Sequence, residues 1–144
     1  MKIIAKIIIA AAIFFAGFYF GQQQALSPAN GLLPEKEINV NLILNSGAGQ
    51  IKNFYDIALS GNATVFDLLK KTTTENNISL SYKDYGQELG VFIESINNLE
   101  NDISGNKYWQ YWVNGGYAEI GASNYHLKDG DTIEWRYAGD QFAE

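Results

Sequence analysis

The chain contains no cysteine. That excludes a disulfide framework, a thiol nucleophile and a cysteine-linked lipid anchor. Positive charge is scarce outside the N-terminus. Lys2 and Lys6 open the chain, and only eight further Lys and Arg follow residue 34, where all sixteen Asp and Glu lie. Eight cations against sixteen carboxylates give that part a net charge of −8. An acidic domain without basic clusters is a poor match for nucleic acid or for an anionic membrane surface. The single histidine, His126, has neither a second His nor a carboxylate cluster at ligand spacing, so no metal centre is indicated. No Ser occupies a Gly-x-Ser-x-Gly elbow, and Gly47-Ala48-Gly49 lacks the third glycine and helix of a dinucleotide loop. Asp129 and Asp131 flank Gly130 as turn residues without acid–base partners. These absences point to a protein that is not an enzyme and carries no cofactor.

The one long apolar run is MKIIAKIIIAAAIFFAGFYF, basic at its start and free of acidic residues. This is the pattern of a secretory signal peptide or an N-terminal membrane anchor, covering residues 1–21. Counted from Ile3, with Lys6 reaching back to the head groups, residues 3–20 approach a full bilayer span. The bulky Gln22, Gln23 and Gln24 after the run make a poor cleavage site, which favours an uncleaved anchor. In either case the lysines stay in the cytoplasm and the rest is exported, secreted or held on the outer face of the membrane. Residues 22–37 hold both prolines and mix Gln, Gly and Ser, a linker composition, and residues 38–144 form the domain.

Within the domain, INVNLIL (38–44) alternates as a strand and IKNFYDIAL (51–59) follows as its hairpin partner. GNATVFDLLKK marks the only convincing helix, with Thr64 as N-cap and Asp67 three residues on as a capping box. Val65, Leu68, Leu69 and Thr72 share one face, and Asn76-Asn77 ends it. Strand patterns recur in ISLSYKD, GVFIESI, YWQYWV and TIEWRY, with Asp129-Gly130 turning into the last. Asn62-Ala63-Thr64 and Asn77-Ile78-Ser79 fit the glycosylation pattern, but capping explains both more simply. The expected fold class is α+β, with one helix packed on a mixed sheet, preceded by an N-terminal hydrophobic helix.

The motifs TVFDLLKK, FIESINN, WQYWVNGG, GASNYHLKDGD and TIEWRY, in this order, resemble the transcobalamin C-terminal-like domain family, found in bacterial surface proteins. The resemblance covers roughly half the chain, and it implies a β-grasp fold. One departure is Ile96-Asn97-Asn98, where the family has Ile-Asn-Gly; Asn tolerates the left-handed backbone that the turn needs. The resemblance also implies cobalamin as a ligand. In the vertebrate carriers, however, this domain closes against a large helical barrel, and only about 37 residues precede the domain here.

The aromatic run from Tyr108 to Val113 divides between two faces. Trp109, Tyr111 and Val113, with Ile133 and Trp135, are expected to build the core. Tyr108 and Trp112 then fall on the open face, near Tyr117 beyond the Asn114-Gly115 turn, unless residues 97–107 or the linker cover them. Trp112, Tyr108 and Tyr117 are therefore the candidate ligand-binding residues. Tyr111 completes the set, because the pattern does not fix which face the helix covers. Flat aromatic surfaces suit a corrin ring, a glycan or another protein. The expected function is a non-enzymatic extracytoplasmic ligand-binding module, or else an interaction domain of a cell-surface assembly.

Overall fold

The computed structural model describes residues 36–139, which belong to the unit Glu35–Glu144. The apolar N-terminal segment and nearly all of the linker lie outside the described residues. Strand β1 (Glu37–Asn45) buries Ile38, Val40, Leu42 and Leu44 in strict alternation, as the pattern requires. It pairs antiparallel with β2 (Ile51–Ser60). Val40 faces Ile57 while Leu42 faces Phe54, so Asn41 stands opposite two residues of β2. This bulge places Asp56 at φ 52°, and its N–H donates to Asn41 Oδ1 over 3.1 Å.

Helix α1 (Val65–Glu75) starts at the expected capping box. Asp67 N–H donates to Thr64 Oγ1 at 3.2 Å, and Thr64 N–H donates to Asp67 Oδ2 at 2.9 Å. Val65, Leu68, Leu69 and Thr72 are buried, together with Phe66 and Thr73. The three threonines that weaken the helix pattern are accommodated: their hydroxyls donate to the carbonyls of Leu68, Leu69 and Lys70. At the other end Asn77 takes φ 53°, and Ile78 N–H donates back to Thr73 O at 2.9 Å. Asn77 thus closes a Schellman motif, and the buried Ile78 completes it. Thr64→Ala should cost about 1 kcal/mol of stability, because one orphan donor of α1 loses its acceptor. Urea melts of the two proteins check this, with an unchanged m-value expected.

Next come β3 (Leu80–Asp84), the short helix α2 (Gly86–Leu89), β4 (Val91–Ile96) and β5 (Leu99–Glu100). They are followed by β6 (Lys107–Val113), β7 (Gly116–Tyr117) and β8 (Thr132–Gly139). One sheet has the order β2-β1-β8-β6-β7 and a second the order β3-β4-β5. β8 lies parallel to β1 and antiparallel to β6, so the larger sheet is mixed. Its inner face and α1 enclose the core: Leu42, Leu68, Leu69 and Ile133 are fully buried. Asn97 and Asn98 sit at φ 54° and 61°, a left-handed pair that turns β4 into β5, so the Asn-Asn replacement preserves the turn.

The reading of one helix on a mixed sheet needs extension. The described residues are mostly strand, in two sheets rather than one, and α2 is a second helix. Alternation identifies a strand but not its partner, so it does not separate the two sheets.

Candidate functional site

The inner face of β6 is the core face. Trp109 and Tyr111 are 6% exposed, and Ile133 and Trp135 are buried beside them. Trp109 Nε1 donates to Leu99 O at 2.8 Å, tying the larger sheet to β5. The Tyr111 ring lies 5.2 Å from Trp135, and its hydroxyl donates to Ile120 O. Burial pushes the Tyr111 phenol above its ordinary pKa, so it stays a neutral donor. Tyr111, a candidate for ligand contact, therefore stands in the core and anchors the loop that follows β7.

The outer face carries Trp112, a candidate platform unless something covers it, and it is 6% exposed. The Arg136 guanidinium stacks 4.3 Å from its ring centre and Tyr117 meets it edge-on at 5.4 Å. Both are neighbours from adjacent strands, β8 and β7. Arg136 is fixed in turn by Glu134 at 2.6 Å, and Glu134 also accepts from Asn45 Nδ2 at 3.1 Å. The cover was partly legible: Arg136 alternates with Trp135 and so shares the face of Trp112. What was missing was the register, which pairs Gln110 with Arg136 and Trp112 with Glu134.

The hydrogen bond from Arg136, opposed by partial burial, holds the Glu134 carboxyl below its ordinary pKa. A depressed folded-state pKa contributes stability above the unfolded pKa, and that contribution is lost as pH falls through the folded value. In Arg136→Met the loss of stacking on Trp112 is independent of pH, whereas the Glu134 part is not. The stability difference from wild type should be largest at about pH 6–7 and shrink towards about pH 3. Denaturant melts across that range check it.

Tyr108 and Tyr117 are half-buried and line separate hollows. Tyr117 belongs to a cavity of about 520 Å³ between Val91–Ile93 of β4, Trp109–Tyr111 of β6 and the loop after β7. Tyr108 lines an adjoining cavity of about 450 Å³ with Ile103, Glu94 and Glu100. Phe92, 44% exposed, borders both. The structure thus brings Tyr111 and Tyr117 to one cavity and places Tyr108 in its neighbour, while Trp112 lines neither.

Two features mark the first cavity as more than a packing gap. Trp135 lines it, and Trp135 Nε1 is a buried donor with no partner among the described residues. Buried polar groups are nearly always paired, so this donor stands out among the residues of the cavity wall. The second feature is the edge of β6. β7 pairs with it only at Trp112 and Val113. Along the remaining edge Lys107 exchanges bonds with Asp102, Trp109 N–H donates to Asn101 Oδ1 at 2.9 Å, and Tyr111 O accepts from Ala118 N–H at 3.2 Å. N–H and C=O of one strand residue point the same way. The Trp109 carbonyl and the Tyr111 N–H therefore face this cavity side, without a partner among the described residues.

The other polar residues singled out by the sequence serve the fold. Asp129 Oδ1 accepts from Asn39 N–H at 2.8 Å, and Asp131 binds Lys128 N–H and Asn114 Nδ2. His126 Nδ1 lies 2.9 Å from Asn62 O. Among the described residues no group of three or more His, Asp and Glu is arranged to hold a metal ion.

Residues 62–139 match the family model described as Domain of unknown function (DUF4430). The chain belongs to this family. The DUF4430 chain also resembles haptocorrin, crystallised in complex with Cbi, with a TM-score of 0.64 at 19% identity over 73% of the chain. It spans only 26% of haptocorrin. A second likeness is to a Ruminococcus gnavus ATCC 29149 protein described as a candidate metal-binding protein, with a TM-score of 0.54 at 18% identity, covering 72% of this chain and 98% of that one. At these identities the likeness is one of fold. No curated protein matches the chain. The resemblance of the DUF4430 chain to transcobalamin C-terminal-like domains, read from its motifs, holds.

Proposed function

We propose that this DUF4430 chain is a non-enzymatic ligand-binding module of the β-grasp type, exported and tethered by its N-terminal apolar segment. The sheet order, with β1 parallel to β8 at the centre and α1 against the inner face, supports the β-grasp assignment. The observation that carries the binding reading is the cavity beside β6. It is walled by Phe92, Tyr111, Tyr117 and Ile120 and holds unpaired hydrogen-bonding groups within its lining residues. Its volume lies inside the range of small-molecule sites. Cobalamin, another ring-shaped molecule and a glycan fit an aromatic wall that carries a few polar groups. The haptocorrin likeness puts cobalamin first among the probes.

Tryptophan-fluorescence titration with cobalamin, corrected for inner-filter absorption, tests the reading. Saturable quenching is expected, weakened about tenfold or more in Phe92→Ala. Phe92 is exposed enough for that change to leave the fold intact. Quenching that does not saturate, or that Phe92→Ala leaves unchanged, would remove the cavity as the site. The second reading, an interaction domain of a cell-surface assembly, is favoured by the open rung on the edge of β6 between Trp109 and Tyr111.

A further inference from the structure

We infer that the two cavities, which share Phe92, act as one groove that receives an extended, cationic segment of a partner protein, running parallel to β6. The inference rests on the reading of the first cavity as a ligand site and names an occupant for the whole groove.

The backbone comes first. Trp109 C=O and Tyr111 N–H flank Gln110 on the same edge, and their neighbours on that edge are already bonded, to Asn101 and Ala118. An acceptor at one residue and a donor two residues on is the pattern that one residue of a parallel strand satisfies, with its N–H to the first and its C=O from the second. An antiparallel strand would need both groups of Trp109, and its N–H is taken. The edge is thus closed to a full ladder, as protected edges are, yet open at one rung. Pairing at one rung fixes polarity: the segment enters at Tyr108 and Ile103 and leaves at Tyr117 and Ile120.

The side chains give its chemistry. Ile103 and Ile120 are 80% and 52% exposed at the two ends, with Phe92 between them. Glu94 and Glu100 line the entry and Glu119 lines the exit, whereas no lysine or arginine lines either cavity. Apolar side chains at alternate positions would settle on the three hydrophobic residues. Lysine or arginine between them would meet the carboxylates. Strand addition of this kind draws affinity from the main chain and specificity from alternate side-chain pockets.

The test uses the full-length chain in detergent and a fluorescein-labelled nonapeptide of alternating Lys and Val, read by fluorescence polarisation beside a cobalamin titration of the same sample. Saturable binding of this peptide is expected, with none for a Glu/Val peptide of equal length. Glu94→Lys with Glu119→Lys should weaken it roughly tenfold at low salt and less at high salt. Both residues are exposed, so the variant should fold. N-methylation of alternate peptide residues, which strips N–H groups from one strand edge, should weaken binding to a similar degree. Loss on charge reversal with no effect of N-methylation would overturn strand pairing. Cobalamin binding without peptide binding would overturn the peptide while the cavity remains a ligand site. Binding of neither probe would remove both readings.

Discussion

Trp109→Ala is expected to destabilise the domain by about 3–5 kcal/mol, the range for truncating a buried tryptophan. Three losses combine. The ring is 6% exposed and sits in the core cluster with Ile133 and Trp135. Its tilted contact with Tyr137 at 5.6 Å disappears. The Leu99 carbonyl loses the indole N–H at 2.8 Å, which joins β5 to the larger sheet. A domain of this size has only about 5–15 kcal/mol of total stability, so the variant should be marginal at physiological temperature. Guanidinium titration followed by circular dichroism measures the loss. A cost below about 1 kcal/mol would mean that the second sheet packs without this anchor.

Trp112→Ala carries the second large effect, and it falls on stability rather than on binding. An exposed platform could be removed at little cost to the fold, with the loss falling on binding. Trp112 is instead covered by Arg136 and Tyr117 and stands outside the core cluster. We expect a stability loss of roughly 2–3 kcal/mol, below a core truncation because stacking and edge contacts replace enclosure. Binding in the cavity beside β6 should persist, since Trp112 does not line it. Parallel melts and ligand titrations separate the two effects. Full stability with abolished binding would restore Trp112 as the platform.

Much of the scaffold was legible because local physics decides it. The period-two burial of β1, the Thr64–Asp67 box and the left-handed Asn97-Asn98 turn each depend on residues within a few positions of one another. The division of the rings of β6 was equally readable: Trp109 and Tyr111 went to the core with Ile133 and Trp135. Long-range register was not. It decides that Arg136 lands over Trp112, that β3, β4 and β5 form their own sheet, and that β7 stops after two residues. The cavity follows from that early stop, combined with residues 91–93 and 117–122 brought together from different elements. Phe92 and Ile120 carried no signal beyond the hydrophobicity of a strand and a loop. Trp135 was legible as core, but its unpaired Nε1 depends on packing around the whole ring.

The most direct measurement is a ¹H–¹⁵N correlation spectrum of the labelled chain with and without saturating cobalamin. It resolves the N–H groups of two cavity-lining residues, the Tyr111 amide and the Trp135 indole. The expected result is that these two signals shift most, with the Trp112 indole unmoved. Shifts centred on Trp112, or no shift at Tyr111 and Trp135, would contradict the assignment of the cavity beside β6 as the binding site.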